Sequence, residues 1–187
     1  MKRHLLTGLA VLAFSAAASA QSYGVVSVGS SKLNLDCSGA TVCDTSGVGV
    51  KLLGGYKFTP NLAAELGYFN FGKAKAADSG ISLDVTNTAF GAGLAYHQDF
   101  APDWNFVARL GVAAVKTRVD AVVAGLGAAS DSDNNTALYG GLGVGYKLSK
   151  TMSLDAAWDF SKSKYNKNGV DTSGNINMFS VGATFGF

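Results

Sequence analysis

The stretch Gly54–Tyr68, GGYKFTPNLAAELGY, leaves little choice of local structure. Val48, Val50, Leu52, Tyr56 and Phe58 share one parity, with Gly54 in the gap, while Lys51 and Lys57 take the other. Thr59-Pro60-Asn61 has turn chemistry, because proline presets φ and asparagine tolerates tight bends. Beyond it Leu62, Ala64, Leu66 and Tyr68 alternate with Glu65 on the opposite face. Strand side chains change face at every residue, so the stretch reads as two two-faced strands joined by a tight hairpin.

The rhythm continues through the chain and predicts eight strands. The first spans about Tyr23–Leu35, with Val26 and Val28 outward, and the hairpin supplies the second and third. The fourth is Val85–Asp99, where Phe90, Ala92, Leu94 and Tyr96 alternate with Ala89, Gly91, Gly93 and Ala95. Asn105–Val119, Thr136–Leu148, Met152–Tyr165 and Asn177–Phe187 complete the set. Short turns are expected at Thr59–Asn61, Ala101–Trp104 and Ser149–Thr151. Longer polar loops are expected near Asp36–Ser46, Ala76–Asp84, Ala121–Asn135 and Asn166–Gly174. Short turns on one side and longer loops on the other are the pattern of outer-membrane barrels, with both mature termini on the periplasmic side.

The first segment, residues 1–20, reads as a signal peptide. A basic start, Lys2-Arg3-His4, precedes the apolar Leu5–Ala18 and a small-residue cleavage site, Ala18-Ser19-Ala20. Residues 21–187 form one domain by length. Removing Lys2 and Arg3 leaves 13 basic and 13 acidic residues, so no basic excess points to nucleic acid. The chain is 48% apolar and 15% charged, yet no run approaches the roughly 20 apolar residues of a membrane helix. In lipid every backbone polar group needs an internal partner, and a closed barrel supplies one without helices. A soluble barrel would carry its apolar residues inside. Here Glu65, Arg109 and Asp155 fall among Gly and Ala, whereas the other parity is bulky and aromatic, up to the terminal Phe179, Val181, Ala183, Phe185 and Phe187. The expected fold is therefore all-β, an eight-stranded antiparallel up-and-down transmembrane β-barrel.

Four segments resemble the OmpA/OmpX-like small outer-membrane β-barrel family: Gly54–Tyr68, Ala108–Gly111, Leu154–Trp158 and Phe179–Phe187. The resemblance implies a Gram-negative outer-membrane location. It also implies insertion by the barrel-assembly machinery, which reads the last strand and its final aromatic, Phe187. Longer relatives add a periplasmic peptidoglycan-binding domain; this chain stops at Phe187, and that role is expected to be absent. Some relatives hold a salt-bridge gate in the lumen. Glu65 and Arg109 match its positions, whereas the positions for the remaining partners read Gly93, Gly145 and Ser153.

The residues suggest three sites. Glu65, Arg109 and Asp155 lie three to five residues from a turn, which places them in one layer and predicts that Arg109 bridges both carboxylates. Lys51, Lys57, Lys147 and Asp159 share the lumen parity and receive no separate role. Cys37 and Cys43 fall in one loop, and an oxidising periplasm favours a disulfide contributing about 2 kcal/mol. Lys116 and Arg118 continue the outward parity of Phe106–Ala114 just above the apolar band, where lipopolysaccharide phosphates sit. His97 points inward beside Asp99 without a serine placed against it by any motif, and no zinc spacing or phosphate loop is present, so no catalytic residue, metal or cofactor is assigned. The expectation is a monomeric, non-enzymatic barrel with surface-exposed loops. Its partners are outer-membrane lipid and lipopolysaccharide, with no nucleic acid. The alternatives are a small low-conductance pore and, further off, a lipid A-modifying enzyme.

Overall fold

Period-two strands joined by tight turns pair with their chain neighbours, and the computed structural model of the protein has that arrangement. It describes residues 21–33, 42–78, 81–125, 127–167 and 170–187. The strands are β1 (Ser22–Leu33), β2 (Val42–Asp44), β3 (Ser46–Lys57), β4 (Leu62–Asp78), β5 (Ile81–Ala101), β6 (Trp104–Val123), β7 (Gly127–Lys147), β8 (Met152–Lys167) and β9 (Val170–Gly186). Neighbours pair antiparallel, β9 pairs with β1, and β4 pairs with β5, so the sheet closes on itself. β2 and β3 are one barrel strand interrupted at Thr45, whose carbonyl accepts from the Leu33 N–H at 2.9 Å. The ring thus has the eight expected strands.

The turns form for local reasons. Phe58 N and Thr59 N both donate to Leu62 O, and Leu62 N donates back to Thr59 Oγ1 at 2.9 Å. Asn61 Nδ2 then donates to His97 O at 2.7 Å and ties this turn to β5. We call this the turn end of the barrel, and the opposite side the hairpin end.

The hairpin end differs from expectation. The segments Ala76–Asp84, Ala121–Asn135 and Asn166–Gly174 are largely ladder, with pairing up to Asp78↔Ile81, Val123↔Gly127 and Lys167↔Val170. Backbone pairing continues above the apolar band because it needs no apolar face. Ser130–Asn135 is polar at every position, so nothing in it alternates to reveal a strand. The segment 1–20 expected as a signal peptide, residues 34–41 behind β1, and with them Cys37, lie outside the described residues; Cys43 is in β2 opposite Ala76.

β4 carries a bulge between Asn70 and Lys73, where Gly72 has φ 73° and its N–H donates to Asn70 Oδ1 at 2.9 Å. A left-handed backbone suits glycine, and one extra residue reverses parity. Phe69 below the bulge, Phe71 within it and Ala74 above it therefore face inward, which turns Lys73 and Lys75 outward.

Which side is in follows from burial. Val26, Leu52, Leu66, Phe90, Leu110 and Val181 are exposed on the outer wall, while Lys51, Glu65, Arg109 and Asp159 are buried inside. That inverts a soluble barrel, and an apolar band of this kind is stable only against lipid. Tyr56, Tyr96, Trp104, Tyr146 and Phe187 form an outward aromatic girdle at the turn end. No helix among the described residues is long and apolar enough to cross a membrane; the strands do so instead.

Candidate functional site

The lumen is built in layers. From the turn end, a cavity of about 520 Å³ reaches inward past Tyr23, Lys57, His97 and Asp155 to Arg109. Lys147 lies at its mouth, with Nζ 2.5 Å from Asp99 Oδ2.

The cavity ends on two buried ion pairs. Arg109 Nε donates to Glu65 Oε2 at 2.9 Å and to Oε1 at 3.2 Å. Lys51 Nζ pairs with Asp159 Oδ2, and both side chains are almost wholly buried. Tyr23 Oη donates to Glu65 Oε1 at 2.6 Å, and His97 Nε2 lies 3.0 Å from the same hydroxyl. The hydroxyl proton is committed to Glu65, so Nε2 carries the proton of its own contact and donates to Tyr23. A buried carboxylate such as Glu65 is stable when paired and hydrogen-bonded, and it has both here.

Beyond the ion pairs, toward the hairpin end, comes an apolar layer, with buried Asn87, Thr117 and Ser31 at its far side. The Phe69 ring stacks on Phe71 with centroids 5.9 Å apart and meets Tyr139 at 5.4 Å. Val115, Ile176 and Met178 beside them are fully buried. Tyr139 fits because the wall facing it is glycine. A Cβ on Gly111 would lie 2.5 Å from the Tyr139 ring, and one on Gly93 would lie 2.8 Å from its hydroxyl. An eight-stranded lumen is just wide enough for side chains to fill, and these fill it.

The structure brings Glu65 and Arg109 together as expected and separates Asp155 from them. Asp155 accepts instead from Thr184 Oγ1 at 2.6 Å and from Ser153 Oγ at 3.1 Å. The reason is strand stagger. Counting from each turn assumes level strands, but barrel strands tilt and their register shears. Arg109 is in register with Gly141, and Gly141 with Asp159, so Asp159 reaches the layer. Asp155 lies roughly 13 Å nearer the turn end at about 3.3 Å per residue. Lys51 and Asp159 have the lumen parity expected of them; their pairing needed the register and carried no local signal. Tyr23 lies at the inward parity opposite Val26 and Val28, but nothing local in the sequence singles it out as the partner of Glu65.

Outside, Lys116 and Arg118 project from β6 as expected. Arg118 Nε is 3.0 Å from Asp120 Oδ1, and Lys73 of β4 shares its register row through Thr86. Lys73 Nζ is 3.7 Å from Asp84 Oδ2. Phe187 ends the last strand, its N–H donating to Ser22 O at 2.9 Å. His97 is engaged by Tyr23 in the lumen. Among the described residues no cluster of His, Cys, Asp and Glu is disposed to hold a metal ion.

The model of the outer membrane protein beta-barrel domain matches residues 5–187. No curated protein matches the chain by sequence. Three solved barrels share its fold at low identity. Neisserial surface protein A superposes with a TM-score of 0.66 at 17% identity, covering 90% of this chain and 98% of that one. Ail, the attachment invasion locus protein of Yersinia pestis, was solved with the heparin analogue sucrose octasulfate. It gives 0.57 at 16% identity, covering 89% and 99%. The N-terminal β-barrel domain of Pseudomonas aeruginosa OprF gives 0.55 at 14% identity, covering 89% and 98%.

Proposed function

The chain belongs to the outer membrane protein beta-barrel family and is a Gram-negative outer-membrane protein; from that premise we propose that it is a non-enzymatic barrel with a closed lumen that holds its long hairpins on the cell surface. The observation that carries this reading is the filled lumen. Two buried ion pairs and an apolar layer lie across the barrel axis. Shape supports the orientation. Three tight turns share one end with the termini, and the hairpins β4–β5, β6–β7 and β8–β9 extend at the other, so the turn end faces the periplasm. Phe187 is the assembly signal in this reading, and a Cys37–Cys43 disulfide closes the first outer loop.

Orientation is tested by surface labelling. In a background with Cys37→Ser and Cys43→Ser, Gly125→Cys reacts with a membrane-impermeant maleimide on intact cells and Pro60→Cys does so only after lysis. The reverse pattern would invert the barrel.

Lys116 and Arg118, with Lys73 in the row beside Arg118, are proposed to contact lipopolysaccharide phosphate above the apolar band. Lys116→Ala with Arg118→Ala is expected to lower the lipopolysaccharide that co-purifies with the barrel. An unchanged amount would make these residues a solvated rim.

The second reading is a narrow pore. It draws support from the cavity at the turn end, which already leads as far as Arg109. Parting the two ion pairs and the Phe69–Phe71 layer is the further step it requires. A lipid A-modifying activity has less support, since His97 is occupied by Tyr23 inside the lumen and points away from lipid.

A further inference from the structure

Strands β7 and β8 pair from Lys147↔Ser153 to Tyr139↔Ser161 and no further. Past that point β7 pairs only with β6, and β8 only with β9, although both strands continue. The two hairpins diverge there and leave a seam in the barrel wall. The seam begins where the apolar band ends. Trp158 and Phe160 face outward below it, Leu138 lies at its start, and the polar groups around it are Asn177 level with Phe160 and Thr136, Lys162 and Asn175 above.

The hollow at the seam holds about 520 Å³. It shares Trp158 with a second hollow of about 460 Å³ below, which shares Val144, Ala156 and Val181 with a third of about 650 Å³. Through these shared residues they line up as one shallow, open groove running down the outer wall toward the turn end. Ala156 is the small residue at its middle, between Val144 and Val181 in register. Trp158, stacked on Phe179 at 5.9 Å and tilted against Phe160 at 5.4 Å, gives its upper part a rigid aromatic wall.

We propose that this groove is a specific site for one lipid A molecule of the outer leaflet, an acyl chain lying along Ala156 and a phosphate held at Lys162. The lower groove is apolar and offers no hydrogen-bond partners, which suits an acyl chain and excludes a peptide backbone. The rim supplies the complement. Lys162 is the charged residue of the upper hollow, with Thr136, Asn175 and Asn177 as neutral hydrogen-bonding groups around it. A cation directly above an apolar slot matches an anionic head above a hydrocarbon tail. The site borders Lys116 and Arg118, which lie on β6 beyond the β7 edge of the seam, with Lys116 in register with Asn134 two residues above Thr136. It rests on the outward placement of the hairpin end.

The test is native mass spectrometry of the refolded, heat-modifiable barrel titrated with purified lipid A in detergent, a readout independent of orientation in cells. One saturable adduct is expected. Ala156→Trp, which fills the groove, and Lys162→Glu, which reverses the charge, each weaken it at least roughly five-fold, a loss of about 1 kcal/mol. Leu66→Trp, on β4 across the ring from the seam, leaves it unchanged. Adducts that accumulate without saturation, or that ignore both groove variants, would overturn the site. Loss of a dimer rather than a lipid adduct in Ala156→Trp would assign the groove to a second copy and overturn it equally. The unaltered chain gives a second readout: in vesicles holding lipid A with a diazirine on one acyl chain, crosslinks concentrate on the peptides carrying Leu138, Trp158 and Phe160. Uniform labelling around the wall would contradict the proposal.

Discussion

Lys51→Met is expected to lower the unfolding free energy of the barrel by about 3–5 kcal/mol, the range for removing one partner of a buried ion pair. The reason is the poverty of the surroundings of Asp159. Its Oδ2 is held by Lys51, its Oδ1 has no hydrogen-bond partner among the described residues, and Arg109 acts on it only through space. Removing the ammonium leaves a carboxylate with no donor in an interior that is nearly closed to water. Asp159 then either stays charged at high cost or takes up a proton. Replacing both partners by apolar residues of similar volume, Lys51→Met with Asp159→Leu, removes the unpaired charge and is expected to restore most of the loss. Urea titration in lipid vesicles, read by the fluorescence of Trp104 and Trp158, measures both. A single variant as stable as the parent would show that Lys51 and Asp159 are solvated separately and do not hold the lumen closed.

Arg109→Ala acts on the neighbouring pair and is expected to cost a little less, about 3 kcal/mol. Glu65 keeps the Tyr23 hydroxyl when the guanidinium is gone, so its carboxylate is not stripped bare. The diagnostic is the double-mutant cycle. Glu65→Gln in the Arg109→Ala background should cost far less than Glu65→Gln alone, with a coupling of about 1–3 kcal/mol. Tyr23→Phe should cost more once Arg109 is absent, because the hydroxyl is then the donor that remains. Additive effects throughout would mean that Arg109 and Glu65 sit near one another without depending on one another.

The barrel itself was legible because its outer wall is written in period two. Val48–Phe58 and Leu62–Tyr68 give parity, turn and facing in one stretch, and Phe179–Phe187 repeats the parity at the far end of the chain. The extent of the strands was not legible. Above the apolar band both faces meet water, so Gly127–Asn135 pairs as strand with a composition indistinguishable from a loop. The bulge at Gly72 was also silent, since glycine is frequent throughout the sequence and only the positive φ singles this one out. The lumen was half legible. Parity correctly sent Glu65, Arg109, Lys51 and Asp159 inward, but which charges meet is decided by shear between strands. Asp155 was placed beside Arg109 by counting from the turns. The register places Asp159 there, and Lys51 arrives from β3 on the other side of the ring.

These layers support one proposal above all, that ions do not pass along the axis of the folded barrel. Single-channel recording of the refolded chain 21–187 in planar bilayers tests it most directly, after a heated and an unheated sample have shown a gel-mobility shift that certifies the fold. The account predicts a silent bilayer for the parent chain and the appearance of small channels when Lys51→Ala and Arg109→Ala are combined. Steady channels from the parent chain would contradict it, and would make the Glu65–Arg109 and Lys51–Asp159 pairs the lining of an open pore.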